Sequence, residues 1–229
     1  MRKLITLTIV VGIFSYCIYK FLSFRVTSVE CISQFGNCDA MILKDIDMVN
    51  LDNMVKTQNN LKSLLNKNLL VESYVVKPKF DGGMTVEVRE RESKYCVMVN
   101  GTTYYADLMG LIIKSGKDAD DGCLANSNTI YKVGDSLISE DLFAQKLYYE
   151  LRSINGLGRS YYDGNIYVID YHNDVKLIFP VEGDAELLAG KVYYSLSQFA
   201  TIEDNIIKNG GTKVTEIDFR YNNPIVRYS

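Results

Sequence analysis

VESYVVKPKF (71–80), DGG (81–83) and MTVEVRER (84–91) follow one another without interruption. Both flanking runs alternate β-branched or aromatic residues with polar ones, which is the period of a half-buried strand. Asp81-Gly82-Gly83 between them supplies the backbone freedom of a tight turn, so the stretch predicts a hairpin. Upstream, Leu51, Met54, Val55, Leu61, Leu64 and Leu65 recur at helical spacing after Asn50, and Asn66-Lys67-Asn68 ends the run. Asp39 can cap a shorter helix with Ile42, Leu43 and Ile46 on one face. Before it, FRVTSVECI (24–32) alternates like a strand. The order β-α-α-β-β over residues 25–92 predicts a compact α+β module.

A second block covers 93–229. Tyr95–Val99 and Thr102–Ala106 flank Asn100-Gly101, whose positive-φ preference suits a two-residue hairpin turn. Residues 116–128 hold Gly, Asp, Asn and Ser and read as an exposed loop. Asp118, Asp120 and Asp121 do not match the calcium-loop spacing, because Gly122 falls where a ligand is required. Ser139 opens a helix with Leu142, Phe143, Leu147 and Leu151 as its apolar face, and Gly156 and Gly158 mark its end. Ile166–Ile169 and Val175–Val181 form a hairpin around His172-Asn173-Asp174. Asp184 starts a last helix carrying Leu188, Val192, Leu196 and Phe199, and 214–228 is the closing strand candidate. The block predicts a mostly antiparallel β domain with two helices.

Ahead of both lies an almost unbroken apolar run from Leu4 to Phe24, preceded by Arg2 and Lys3 and interrupted only by Lys20. About twenty helical residues cross a bilayer core, so residues 4–24 are expected to form a single transmembrane helix. A cleaved signal peptide would need small residues at its end, whereas this run closes with Phe21-Leu22-Ser23-Phe24-Arg25. The expectation is therefore a single-pass protein of the cell membrane, with residues 1–3 cytoplasmic and the remainder extracytoplasmic.

Composition narrows the chemistry. Of 229 residues, 47% are hydrophobic and 23% charged, with a net charge of −3 and seventeen tyrosines but no tryptophan. Without a basic cluster beyond the membrane flank, nucleic acid is not an expected partner. Cys17 lies within the apolar run. Cys31 and Cys38 enclose six residues in a region where oxidation is permitted, and a disulfide between them would contribute about 2–3 kcal/mol. Two reduced structural thiols are the alternative. Cys96 and Cys123 could form a second bridge, although nothing local argues for it.

A nucleophile requires a base within hydrogen-bond reach. The single histidine, His172, sits in a turn between strands, where imidazoles are usually solvated. No G-x-S-x-G, Ser-x-x-Lys or H-E-x-x-H motif occurs. The short glycine pairs lack the lysine and strand-to-helix setting of a phosphate loop. Glu90 and Glu92 alternate with Arg89 and Arg91, the pattern of a self-neutralised strand face. No catalytic residue, metal site, cofactor or small-molecule substrate is expected.

Three segments carry a resemblance. Thr85-Val86-Glu87-Val88-Arg89-Glu90-Arg91, Asp107-Leu108-Met109-Gly110 and Ile217-Asp218-Phe219-Arg220-Tyr221-Asn222-Asn223-Pro224 are similar, in this order, to segments of the bacterial cell-division family FtsQ/DivIB. In that family the first module is a polypeptide-transport-associated (POTRA) domain. Two features depart from the pattern: Ser93 stands where the family usually has proline, and the Cys31–Cys38 insertion is not a usual family feature. The resemblance implies a membrane-anchored division scaffold that helps regulate septal wall synthesis. The implied partners are small single-pass coiled-coil division proteins and other septal proteins, with the division septum as the expected location. Docking would proceed by β-augmentation, in which a partner strand pairs with a sheet edge. The residues implied for it are Glu216, Ile217, Asp218, Phe219, Arg220, Tyr221 and Pro224. A POTRA-containing secretion or envelope-assembly component is the alternative, and an anchored wall-polymer enzyme a more distant one.

Overall fold

The computed structural model describes residues 10–16, 19, 25–79, 81–117, 122–125 and 127–229, and the chain divides into two units, Met1–Arg91 and Glu92–Ser229. In the first, the elements are Ser28–Ser33 (β1), Gly36–Asn37 (β2), Ala40–Asp47 (α1), Met54–Leu65 (α2), Val71–Pro78 (β3) and Gly83–Glu90 (β4). Gly82, at φ 87°, turns β3 into β4. Gly83 lets β4 approach β1 so closely that a Cβ there would lie 3.0 Å from the Ser28 hydroxyl. The sheet order is β2-β1-β4-β3, with β1 and β4 parallel and β3 and β4 antiparallel.

Both helices carry side-chain caps. The Asp39 carboxylate accepts from the Met41 amide at 2.8 Å, and the Asn53 side chain accepts from the Lys56 amide at 2.9 Å. Asn53, three residues after Asn50, is thus the real start of α2. The preceding segment is held in place because Asp52 accepts from the Val26 amide and donates its own to the Thr57 hydroxyl. Ile42, Ile46, Leu61 and Leu65 from the helices are buried, as are Met84, Val86 and Val88 of β4. Each such side chain stabilises the unit by about 1.5–3 kcal/mol.

The transmembrane helix expected over 4–24 is overturned. Among the described residues no helix is long and apolar enough to cross a membrane. The consecutive helical residues described there, 10–16, rise about 10 Å, a third of a hydrocarbon core. Hydropathy alone suggested a span, but crossing also requires helical length. The single-pass membrane placement built on it falls with it. Residues 4–9, 17–18 (with Cys17) and 20–24 of the expected span and the tail 1–3 lie outside the described residues, as do Asp118, Asp120 and Asp121.

The second unit comprises Tyr95–Val99 (β5), Thr102–Ala106 (β6), Ile112–Gly116 (β7), Leu124–Ala125 (β8), Ser139–Leu151 (α3), Ser160–Asp163 (β9), Ile166–Tyr171 (β10), Val175–Phe179 (β11), Ala185–Ser197 (α4), Phe199–Lys208 (α5), Val214–Asp218 (β12) and Ile225–Tyr228 (β13). They build a nine-stranded sheet in the order β13-β12-β11-β10-β9-β8-β5-β6-β7. The sheet is mixed: β5 with β8, β8 with β9 and β11 with β12 are parallel. A parallel neighbour needs a crossover, and α4 with α5 supplies it between β11 and β12. The other five pairs are antiparallel, in line with a mostly antiparallel domain, but the expected two helices are corrected to three, because the last helical pattern breaks at Gln198 into α4 and α5.

Two-residue β8 joins a three-stranded sheet to a five-stranded one, with two paired positions on either side. Helix α3 buries Phe143, Ala144, Leu147 and Leu151 in the core, among Val97, Leu124, Tyr167, Ile169 and Phe179.

Candidate functional site

The chain from Val214 to Tyr228 is two strands and a turn. Strand β12 pairs in parallel with β11 and antiparallel with β13, in the register Ile217 opposite Val226 and Asp218 opposite Ile225. Both sides of β12 are therefore occupied. The residues implied for partner docking sit at this hairpin in three different environments. Ile217 and Phe219 are core residues, with Phe219 stacked on Phe179 at 5.3 Å between ring centroids.

Asp218 is fully buried and held by cations. It accepts from Arg220 Nε at 2.9 Å and Nη2 at 2.7 Å, while the Arg220 amide donates to the same carboxylate at 3.1 Å. Arg227 adds a second cation at 3.9 Å. Hydrogen bonding from Arg220 holds the Asp218 carboxyl below the usual carboxylate range, against the opposing effect of burial. Glu216 pairs with Arg227 at 2.5 Å across the hairpin. Tyr221 is exposed in the turn, 5.9 Å from the Arg220 guanidinium, and half-buried Pro224 immediately precedes β13.

Strand β13 is the real edge at this end of the sheet. It pairs only with β12 among the described residues, and Ile225 and Tyr228 are 43% and 58% exposed. Its end is tied down by the Ser229 amide donating to Lys213 and the Thr212 amide donating to Ser229 at 2.7 Å. Reading residues 214–228 as one strand missed this edge. The available signal was Asn222-Asn223-Pro224, a turn cluster whose proline suits the first position of an edge strand.

The opposite edge, β7, is less open. The Ile112 amide donates to Asp135 and its carbonyl accepts from Gly134, so a loop already covers the start of the strand. Lys114 guards the middle, its ammonium 5.2 Å from the Tyr105 ring.

Both disulfides are formed. Cys31–Cys38 closes the β1–β2 loop, where Gln34 pairs with the backbone of Glu90 through both its amide nitrogen (2.8 Å) and its oxygen (2.9 Å). Cys96–Cys123 links β5 to the residue before β8. Gln145 of α3 reinforces that link, accepting from the Cys96 amide and donating to the Gly122 carbonyl.

His172 lies in a 3-10 turn against Gly156, where a Cβ would come within 2.0 Å of the imidazole. The surrounding cleft, about 490 Å³, is lined by Tyr161, Asp170, Tyr171 and Lys176 and carries no serine, threonine or cysteine. Glu90 accepts from the Asp39 amide and Arg89 pairs with Glu72, so these charges serve the first unit's own structure. No group of three or more His, Cys, Asp or Glu able to hold a metal occurs among the described residues. No family model matches this chain, and no curated protein matches it.

Proposed function

We propose that this chain is a non-catalytic scaffold of the cell-division machinery that receives a partner's strand on the outer side of β13. The observation that carries the reading is the open backbone edge at Ile225–Tyr228, flanked by the exposed side chains Ile225 and Tyr228. Main-chain hydrogen bonds along such an edge supply affinity, and alternate side chains supply selectivity. The resemblance to the FtsQ/DivIB family supports the division setting and a small coiled-coil partner. The disulfides support a function in an oxidising environment.

The test is photo-crosslinking in cells from a probe at Tyr228, with the product identified by mass spectrometry. The expected product joins this chain to a small coiled-coil division protein, and Ile225→Lys should reduce its yield. An unchanged product in the folded Ile225→Lys protein, or no crosslink at all, would remove β13 as the docking edge.

A further inference from the structure

At the other end of the nine-stranded sheet, two segments turn large apolar side chains to solvent while their backbones are pinned from below. The first is the turn Asp107–Gly110. The buried Asp107 carboxylate accepts from the Met109 and Leu111 amides at 2.9 and 3.0 Å, and Gly110 takes a φ of 84° with Leu142 packed against it. This leaves Leu108 exposed and Met109 81% exposed.

The second segment is 127–138. The buried Asp141 carboxylate accepts from the Ser127 and Tyr131 hydroxyls at 2.6 and 2.5 Å, and the Ile138 amide donates to the Tyr131 hydroxyl. Ile130, Val133 and Ile138 nevertheless face water, Ile130 at 76%. The Leu137 amide donates to the Gly110 carbonyl, so the two segments form one continuous surface. Apolar side chains carried on backbone that is already fixed can be covered without the added cost of ordering the loops, which suits an interface.

We propose that this corner is where two copies of the chain associate about a two-fold axis. Its charges select that occupant. Lys132 and Asp135 lie side by side, since the Lys132 amide donates to the Asp135 carboxylate at 2.8 Å. The Lys132 ammonium has no ion-pair partner among the described residues. A two-fold contact must be complementary to itself, and a rim carrying both signs together meets that condition with each lysine facing the other copy's aspartate. Lys114 on β7 disfavours the competing arrangement, edge-to-edge pairing of the two sheets. The contact is independent of β13.

Sedimentation equilibrium of the full chain tests the idea. The expected result is a reversible dimer that Met109→Asp or Ile130→Asp weakens by at least about tenfold. Lys132→Glu should weaken it, and Lys132→Arg should leave it intact. Both apolar positions are exposed enough for the variants to fold, which circular dichroism verifies. A wild-type chain that stays monomeric through the micromolar range overturns the proposal. So does a Met109→Asp/Ile130→Asp double variant that associates like the wild type, because association would then reside elsewhere.

Discussion

The two ends of the second unit's sheet each bury a carboxylate, and they satisfy it in different ways. At the β12–β13 end, Asp218 is surrounded by the guanidinium groups of Arg220 and Arg227. Near the β5–β7 end, the Asp141 carboxylate is bound by the hydroxyls of Ser127 and Tyr131. Burial, reinforced by the bond to Asp141, pushes the Tyr131 phenol upward, so it remains a donor at every physiological pH. A cation pair reaching the surface responds to acid and salt, whereas a hydroxyl cluster under a helix has no such dependence on salt. The first arrangement suits the hairpin at which partner docking is proposed. The second suits a loop whose shape must not change.

Substitutions should separate the two designs, beginning with the largest effect. Asp141→Ala strands two hydroxyls in the core and should lower unfolding free energy by about 3 kcal/mol, read by urea denaturation. Arg220→Ala leaves Asp218 buried with only the distant Arg227. Because the Arg220 side chain is 35% exposed, the loss should be nearer about 2 kcal/mol than that of a fully enclosed pair. Tyr131→Phe removes a donor to Asp141 and the acceptor of the Ile138 amide, and should cost about 1–2 kcal/mol. Glu216→Ala breaks a pair half open to solvent, for about 0.5 kcal/mol that largely vanishes in high salt.

Acid gives an independent reading of the same contrast. The folded-state pKa of Asp218 is depressed, so its contribution to stability is complete above the unfolded value, near 4. It is lost as pH falls below that value toward the folded one. The stability difference between wild type and Asp218→Asn should therefore be constant near neutrality and shrink below about pH 4. If it keeps its full size down to pH 2, the arginine-held carboxylate does not act as described.

Local chemistry was legible in the sequence where a residue's own backbone preference decides the outcome. Asn100 and Gly101 both adopt positive φ, at 50° and 77°, and close the β5–β6 hairpin as their types require. Asp39 caps α1, and Asp184 caps α4 with its carboxylate on the Leu187 amide at 3.0 Å. Distant pairing was not legible. Leu124-Ala125 is too short to show a period, yet it joins the two parts of the larger sheet. Cys96 and Cys123 are 27 residues apart and meet only because β8 returns beside β5. Residues 214–228 were legible as β structure, but they form two strands and a turn rather than one strand. Alternation identifies a strand and says nothing of how many neighbours it has.

The narrowness of β8 has a mechanical consequence. A sheet loaded across its strands behaves as links in series, and the weakest link fails first. On one side of β8 the Cys96–Cys123 bond and the overlying α3 fasten it to β5. On the other, two paired positions hold it to β9. Stretched between handles on β6 and β12, the unit should tear first between β8 and β9, leaving β8 attached to β5. Reduction of the bond should lower the rupture force only if the tear then moves to the β5 side.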